Sequence, residues 1–135
     1  MINDLRDKWL ASLKPTLGIN RLCFSSAGVC YINFSSSVSV KLEKLPNNDG
    51  VFFSGCIDAS NLSSSMMKEM LIDNFKSINP LLPILSLERD GSILEAHCAV
   101  PNSLLEHGEE VLEQLVACIE YWKLELDKNI SKTNT

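Results

Sequence analysis

The sequence predicts a single α+β domain with the element order helix, three-stranded antiparallel meander, helix, β-hairpin, helix. Three observations predict it. An apolar stripe with steps of three and four opens the chain, three short runs rich in β-branched and aromatic residues follow it, and a second long helical stripe closes the chain after a hairpin signal at Asp90-Gly91.

The first helix is read from Ile2 to Leu17, where Leu5, Trp9, Leu10, Leu13 and Leu17 share one face before Pro15 and Gly18 stop it. Val29 to Phe34, Val38 to Glu43 and Val51 to Asp58 read as strands, separated by serines 35 to 37 and by Pro46 to Gly50. In the second of these, Val38, Val40 and Leu42 alternate with Ser39, Lys41 and Glu43. The other two carry apolar residues on both faces, so something must cover both sides of the sheet, at least in part. Asn61 to Ile78 is the second helix. After the breaker NPLLP, Ile84 to Glu88 and Ser92 to Val100 flank the Asp90-Gly91 turn. Ser103 and Glu106 have capping-box spacing, which starts the C-terminal helix there, with Leu105, Leu112, Leu115, Ile119, Trp122 and Leu126 on one stripe. The domain is expected to span residues 1–130, with a frayed polar tail over 131–135.

The composition excludes several classes of function. Seventeen acidic against 12 basic side chains give a net charge of −5, which opposes binding to phosphate backbones, so no nucleic-acid partner is expected. There is neither a secretory signal nor a run of about 18 apolar residues, so the expectation is a cytoplasmic protein with no membrane insertion. Cys23, Cys30, Cys56, Cys98 and Cys118 are odd in number and scattered, and they read as small buried residues in a reducing compartment.

The stretch EAHCAVPNSLLEHGEE (Glu95 to Glu110) holds both histidines, but it does not read as a site. Neighbours on a strand point to opposite faces, which separates His97 from Cys98; Cys98 falls in phase with Leu94, Ala96 and Val100. His107 sits on an acidic surface beside Glu106 and Glu110. HGEE is not a zinc motif and no G-x-S-x-G occurs, so neither enzyme activity nor a metal or cofactor is expected. The second helix is more informative. Leu62, Met66, Met67, Met70, Leu71, Ile72, Phe75 and Ile78 occupy more of its circumference than one sheet contact needs, and methionine clusters mark adaptable interaction surfaces, so self-association through it is expected.

The chain resembles the class I type III secretion chaperones (the Tir chaperone-like family). The resemblance runs from LRDKWLASLKPTLGI through the meander to the hairpin LERDGSILEAHCAVP and the helix EEVLEQLVACIEYWKLEL. It implies a homodimer that holds the N-terminal chaperone-binding segment of a cognate effector in extended form, keeping it soluble and secretion-competent in the bacterial cytoplasm without a cofactor. On this sequence it implies Leu5, Trp9, Leu13, Val29, Tyr31 and Phe52 as effector-binding residues and Met66, Met67, Met70 and Phe75 as the dimer interface. NPLLPIL is richer in proline than the family pattern. The alternative reading is a small ligand-binding or sensory α+β domain with a pocket between sheet and helix. A small hydrolase using Cys98 or His97 comes third.

Overall fold

The computed structural model describes residues 4–35, 37–76, 79 and 81–133. The parts of the expected elements at Ile2, Asn3, Ser36, Ser77, Ile78 and Pro80, and the end of the expected tail at residues 134 and 135, lie outside that set. Helix α1 spans Leu5–Ser12 and is followed by the single turn α2, Lys14–Leu17; strands β1 (Val29–Asn33), β2 (Ser39–Lys44) and β3 (Val51–Asp58) come next. Helix α3 (Ser64–Lys76), strands β4 (Ile84–Leu87) and β5 (Ile93–Val100) and helix α4 (Gly108–Thr133) complete the chain. The expected α+β order is therefore present. The meander and the hairpin join into one antiparallel sheet of order β1-β2-β3-β5-β4, with β5 paired to β3 along its whole length from Val51↔Val100 to Asp58↔Ile93.

One face of this sheet is the core. Cys30 and Ile32 of β1, Val40 and Leu42 of β2, Val51, Phe53 and Ile57 of β3, and Leu94, Ala96, Cys98 and Val100 of β5 are all buried. Helix α4 lies across β3 and β5, and its stripe of Val111, Leu112, Leu115, Ile119, Trp122 and Leu126 fills that face. Gly55 makes the approach close: a Cβ there would stand 2.2 Å from Ile119 Cδ1. The alternation read from the sequence holds at Val38, Val40 and Leu42, which are inside, and at Cys98, which lies opposite in facing to His97. The helices of this chain pack on one face and leave exposed Tyr31 and half-buried Phe52 on the other.

The first helix is held by a charge that its amphipathic pattern does not announce. Arg6 is only 3% exposed. Its guanidinium makes a fork to the Asp4 carboxylate at 2.9 and 3.0 Å and donates at 3.0 Å to the carbonyls of both Leu45 and Gly50, the two ends of the β2–β3 turn. Asp4 also caps α1 by accepting from the Arg6 N–H at 2.9 Å, and Lys44 closes on Asp4 and Asp7 at 3.1 and 2.9 Å. From the other side Asn102 accepts from the Gly50 N–H and donates to Asn48 O. Gly50 sits at φ +96°, and a Cβ there would be 2.5 Å from Val100 O, so only glycine lets the turn reach this clamp.

Asn102 is thus committed to the turn, and the expected capping box does not form. Asn102–His107 is a 3-10 turn after Pro101 without a side-chain cap, and α4 begins at Gly108, where a Cβ would meet the Trp9 ring at 2.4 Å. At its far end α4 runs through Thr133.

The clamp gives a pH dependence. The hydrogen bond from Arg6 holds the Asp4 carboxyl well below the usual carboxylate range. A carboxylate depressed in the fold contributes stability that is complete above its unfolded pKa of about 4 and is lost as pH falls through the depressed value. Asp4→Asn is therefore expected to lower the urea midpoint at pH 7, with the gap to the parent narrowing below pH ~4; a gap that is constant with pH would show that the carboxylate is not the stabilising species.

Candidate partner-binding surfaces

Pairing places the bare face in rows across the strands. Tyr31 lies opposite Lys41, Lys41 opposite Ser54, Ser54 opposite His97 and His97 opposite Ile84; a second row runs Val29, Glu43, Phe52, Ala99. A shallow hollow of about 430 Å³ opens here, lined by Tyr31, Ser39, Lys41, Ser54, Cys56 and Glu95. Tyr31 is 67% exposed on an edge strand, and Phe52 is half-buried and stacked on His97 with ring centroids 5.5 Å apart.

The residues that the resemblance implies for effector binding lie on two sides of the sheet. Val29, Tyr31 and Phe52 are on the bare face, while Leu5, Trp9 and Leu13 belong to the helix layer. Leu5 is exposed, but Leu13 is buried in the core and Trp9 is half-buried, its ring 5.5 Å from that of Phe53 and pressed on Gly108.

Helix α3 divides in the same way. Met66 and Met70 turn inward, at 7% and 4% exposure, so their side chains fill this chain's own core and offer a partner almost no surface. Met67 and Phe75 point outward, Phe75 with 85% of its surface exposed. Leu71 completes their stripe. Its spacing of four from each could have revealed it. Ile84 and Leu87 of edge strand β4 add two more exposed apolar side chains. A cleft of about 180 Å³ between α3 and β4 is lined by Met67, Met70, Leu71, Leu85, Leu87 and Leu94.

The stretch with both histidines is a strand and a turn. The buried His97 Nδ1 is 3.5 Å from Glu95 Oε1 and has no hydrogen-bond partner among the described residues, while Cys98 is on the other face. Burial pushes the thiols of Cys30 and Cys98 up, and that of Cys118 up to about 11, which disfavours the nucleophilic and metal-binding thiolate. Cys23 and Cys56 are exposed, a correction to their reading as core residues; in β3 the alternation Phe53, Gly55, Ile57 inside already places Cys56 outside. Among the described residues no group of three or more His, Cys, Asp and Glu could hold a metal, and no helix is long and apolar enough to cross a membrane.

Neither a family model nor a curated protein matches the sequence. The architecture has clear counterparts. A chain of the ExsC–ExsE complex superposes with a TM-score of 0.77 over 93% of this chain and 97% of that one, at 16% identity. A chain of the HopA1–SchA chaperone–effector complex gives 0.73 over 88% and 93%, at 13% identity. The type III secretion chaperone SycH of Yersinia pestis, solved with a fragment of YscM2, gives 0.65 over 93% and 97%, at 16% identity. The chain has the fold of the type III secretion chaperones.

Trp9 and Tyr31 separate packing from display. Trp9→Ala is expected to cost about 2 kcal/mol or more by emptying the space over Phe53 and Gly108. Tyr31→Ala should stay within about 0.5 kcal/mol of the parent. Urea titrations check both, and a Trp9→Ala chain as stable as the parent would contradict the packing described.

Proposed function

We propose that this protein is a class I type III secretion chaperone, which binds the N-terminal segment of a secreted effector in extended form and keeps it soluble and competent for secretion. The observation that carries the reading is the uneven cover of the sheet: all helices pack on one face, and Val29, Tyr31 and Phe52 remain on the other beside an edge strand. Such a surface suits a segment that is itself extended, since apolar side chains gain roughly 25 cal/mol per Å² removed from water and backbone pairing fixes direction. The fold shared with proteins solved as chaperone–effector complexes supports the same reading.

In this reading the protein is a cytoplasmic, non-enzymatic homodimer that uses no cofactor. The exposed α3 stripe of Met67, Leu71 and Phe75, with Ile84 and Leu87 of β4, forms the contact between copies, and Met66 and Met70 support it from behind. Tyr31, Val29, Phe52 and Leu5 contact the client, and Trp9 and Leu13 hold α1 in place. A small-ligand domain is less well supported, because the space between sheet and helices is filled by Phe53, Leu115, Ile119 and Trp122, each at most 2% exposed.

Co-expression with type III substrates of the native bacterium tests this. One substrate is expected to co-purify through its N-terminal segment, and light scattering of the free protein should give twice the chain mass of 15.0 kDa, falling to one chain in Phe75→Glu. A chain that is monomeric at micromolar concentration and retains none of the substrates would overturn the proposal.

A further inference from the structure

The bare face of the sheet holds a polar group that the packing leaves without a partner. Ser54 lies on β3, the central strand, and is only 7% exposed, more than nine-tenths buried. Its hydroxyl makes no hydrogen bond to any described residue. A hydroxyl withdrawn that far from water is costly to leave unsatisfied, because the lost hydration exceeds what one hydrogen bond contributes. Ser54 lines the hollow of about 430 Å³ on this face.

Two charges line the same hollow with their hydrogen-bonding capacity unspent. Lys41, opposite Ser54 on β2, comes no nearer than 3.8 Å to Glu43 Oε1. Glu95, opposite Cys56 on β5, stands 3.5 Å from His97 Nδ1 without forming a hydrogen bond to it. Their side chains are 38% and 36% exposed, so both are within reach of a bound molecule. Strands β2 and β5 flank β3, which sets their backbones about 10 Å apart and lets the two long side chains approach each other over it. The hollow therefore has donors on one flank, acceptors on the other, and a hydroxyl that can do either at its floor.

We propose that Lys41, Ser54 and Glu95 form a pocket that reads one side chain of a bound polypeptide, and that the side chain it takes is the carboxamide of asparagine or glutamine. The inference rests on the function proposed above and adds a residue preference to it. A carboxamide carries an acceptor and a donor on one carbon and no net charge: its oxygen accepts from the Lys41 ammonium and the Ser54 hydroxyl, and its NH₂ donates to the Glu95 carboxylate. A carboxylate in the same place meets Glu95, and an ammonium or guanidinium meets Lys41, so each is opposed by a like charge. An apolar side chain covers all three groups and satisfies none. Val29 and Phe52 lie in the neighbouring row of the same face, so a segment held on them by apolar contacts is placed to set one polar side chain into the hollow.

The test is selection from a displayed library of random peptides on the immobilised full chain, followed by fluorescence anisotropy of the selected peptides. The parent is expected to enrich Asn or Gln at one position, and replacing that peptide residue by Glu, Lys or Leu should weaken binding roughly tenfold. Lys41→Glu leaves only acidic groups around the hollow and should move the preference to Lys or Arg; Glu95→Lys should move it to Asp or Glu. Ser54→Ala should keep the preference and weaken the selected peptide roughly fivefold. Thermal melts confirm that each variant is folded. A parent that selects peptides without an Asn or Gln preference, or with a charged residue in that place, would overturn the proposal while the chaperone reading stands. So would a preference unmoved by Lys41→Glu and Glu95→Lys, or unchanged affinity in Ser54→Ala. A parent that selects no peptide would overturn the proposal and the reading it rests on together.

Discussion

The buried guanidinium of Arg6 ties the N-terminal helix to the sheet, and the position of everything on the helical side follows from it. An isolated charge in that place would be costly; the Asp4 carboxylate neutralises it, and the carbonyls of Leu45 and Gly50 take two of its remaining donors. Because those carbonyls are the two ends of one turn, the bond fixes α1 at a defined point over β2 and β3. Trp9 then comes to rest on Phe53 and Gly108, and Gly108 is where α4 starts across the sheet. The helices are thereby gathered on one face, and the other face remains available to a partner.

Much of this was legible in the sequence because alternation and helical periodicity are local. The strands lie within a residue of where the period-two pattern puts them, and the separation of His97 from Cys98 follows from strand geometry alone. What was not legible depends on contacts distant in sequence. Arg6 reads as a surface residue of an amphipathic helix until the turn 39 and 44 residues later supplies its carbonyls. The capping signal at Ser103 and Glu106 loses to Asn102, whose side chain is held by a turn more than 50 residues away. On α3 apolar residues surround so much of the helix that periodicity could not say which methionines face inward; Asn74 bonding to Leu85 sets that rotation, burying Met66 and Met70 and exposing Met67, Leu71 and Phe75.

The same division accounts for how so small a chain could serve two partners. Its exposed apolar residues fall in separate places: Tyr31 at the β1 edge of the bare face, and the α3 stripe with Ile84 and Leu87 at the opposite edge. A contact between copies at one edge would leave the other uncovered, and a client bound at β1 would not compete with dimer formation.

Site-specific photo-cross-linking tests this division most directly. A benzophenone amino acid placed at Tyr31 is expected to capture the N-terminal segment of a co-expressed type III substrate, and the same group at Phe75 should capture a second copy of the chain. Capture of the substrate from Phe75 and of a second copy from Tyr31 would contradict the account.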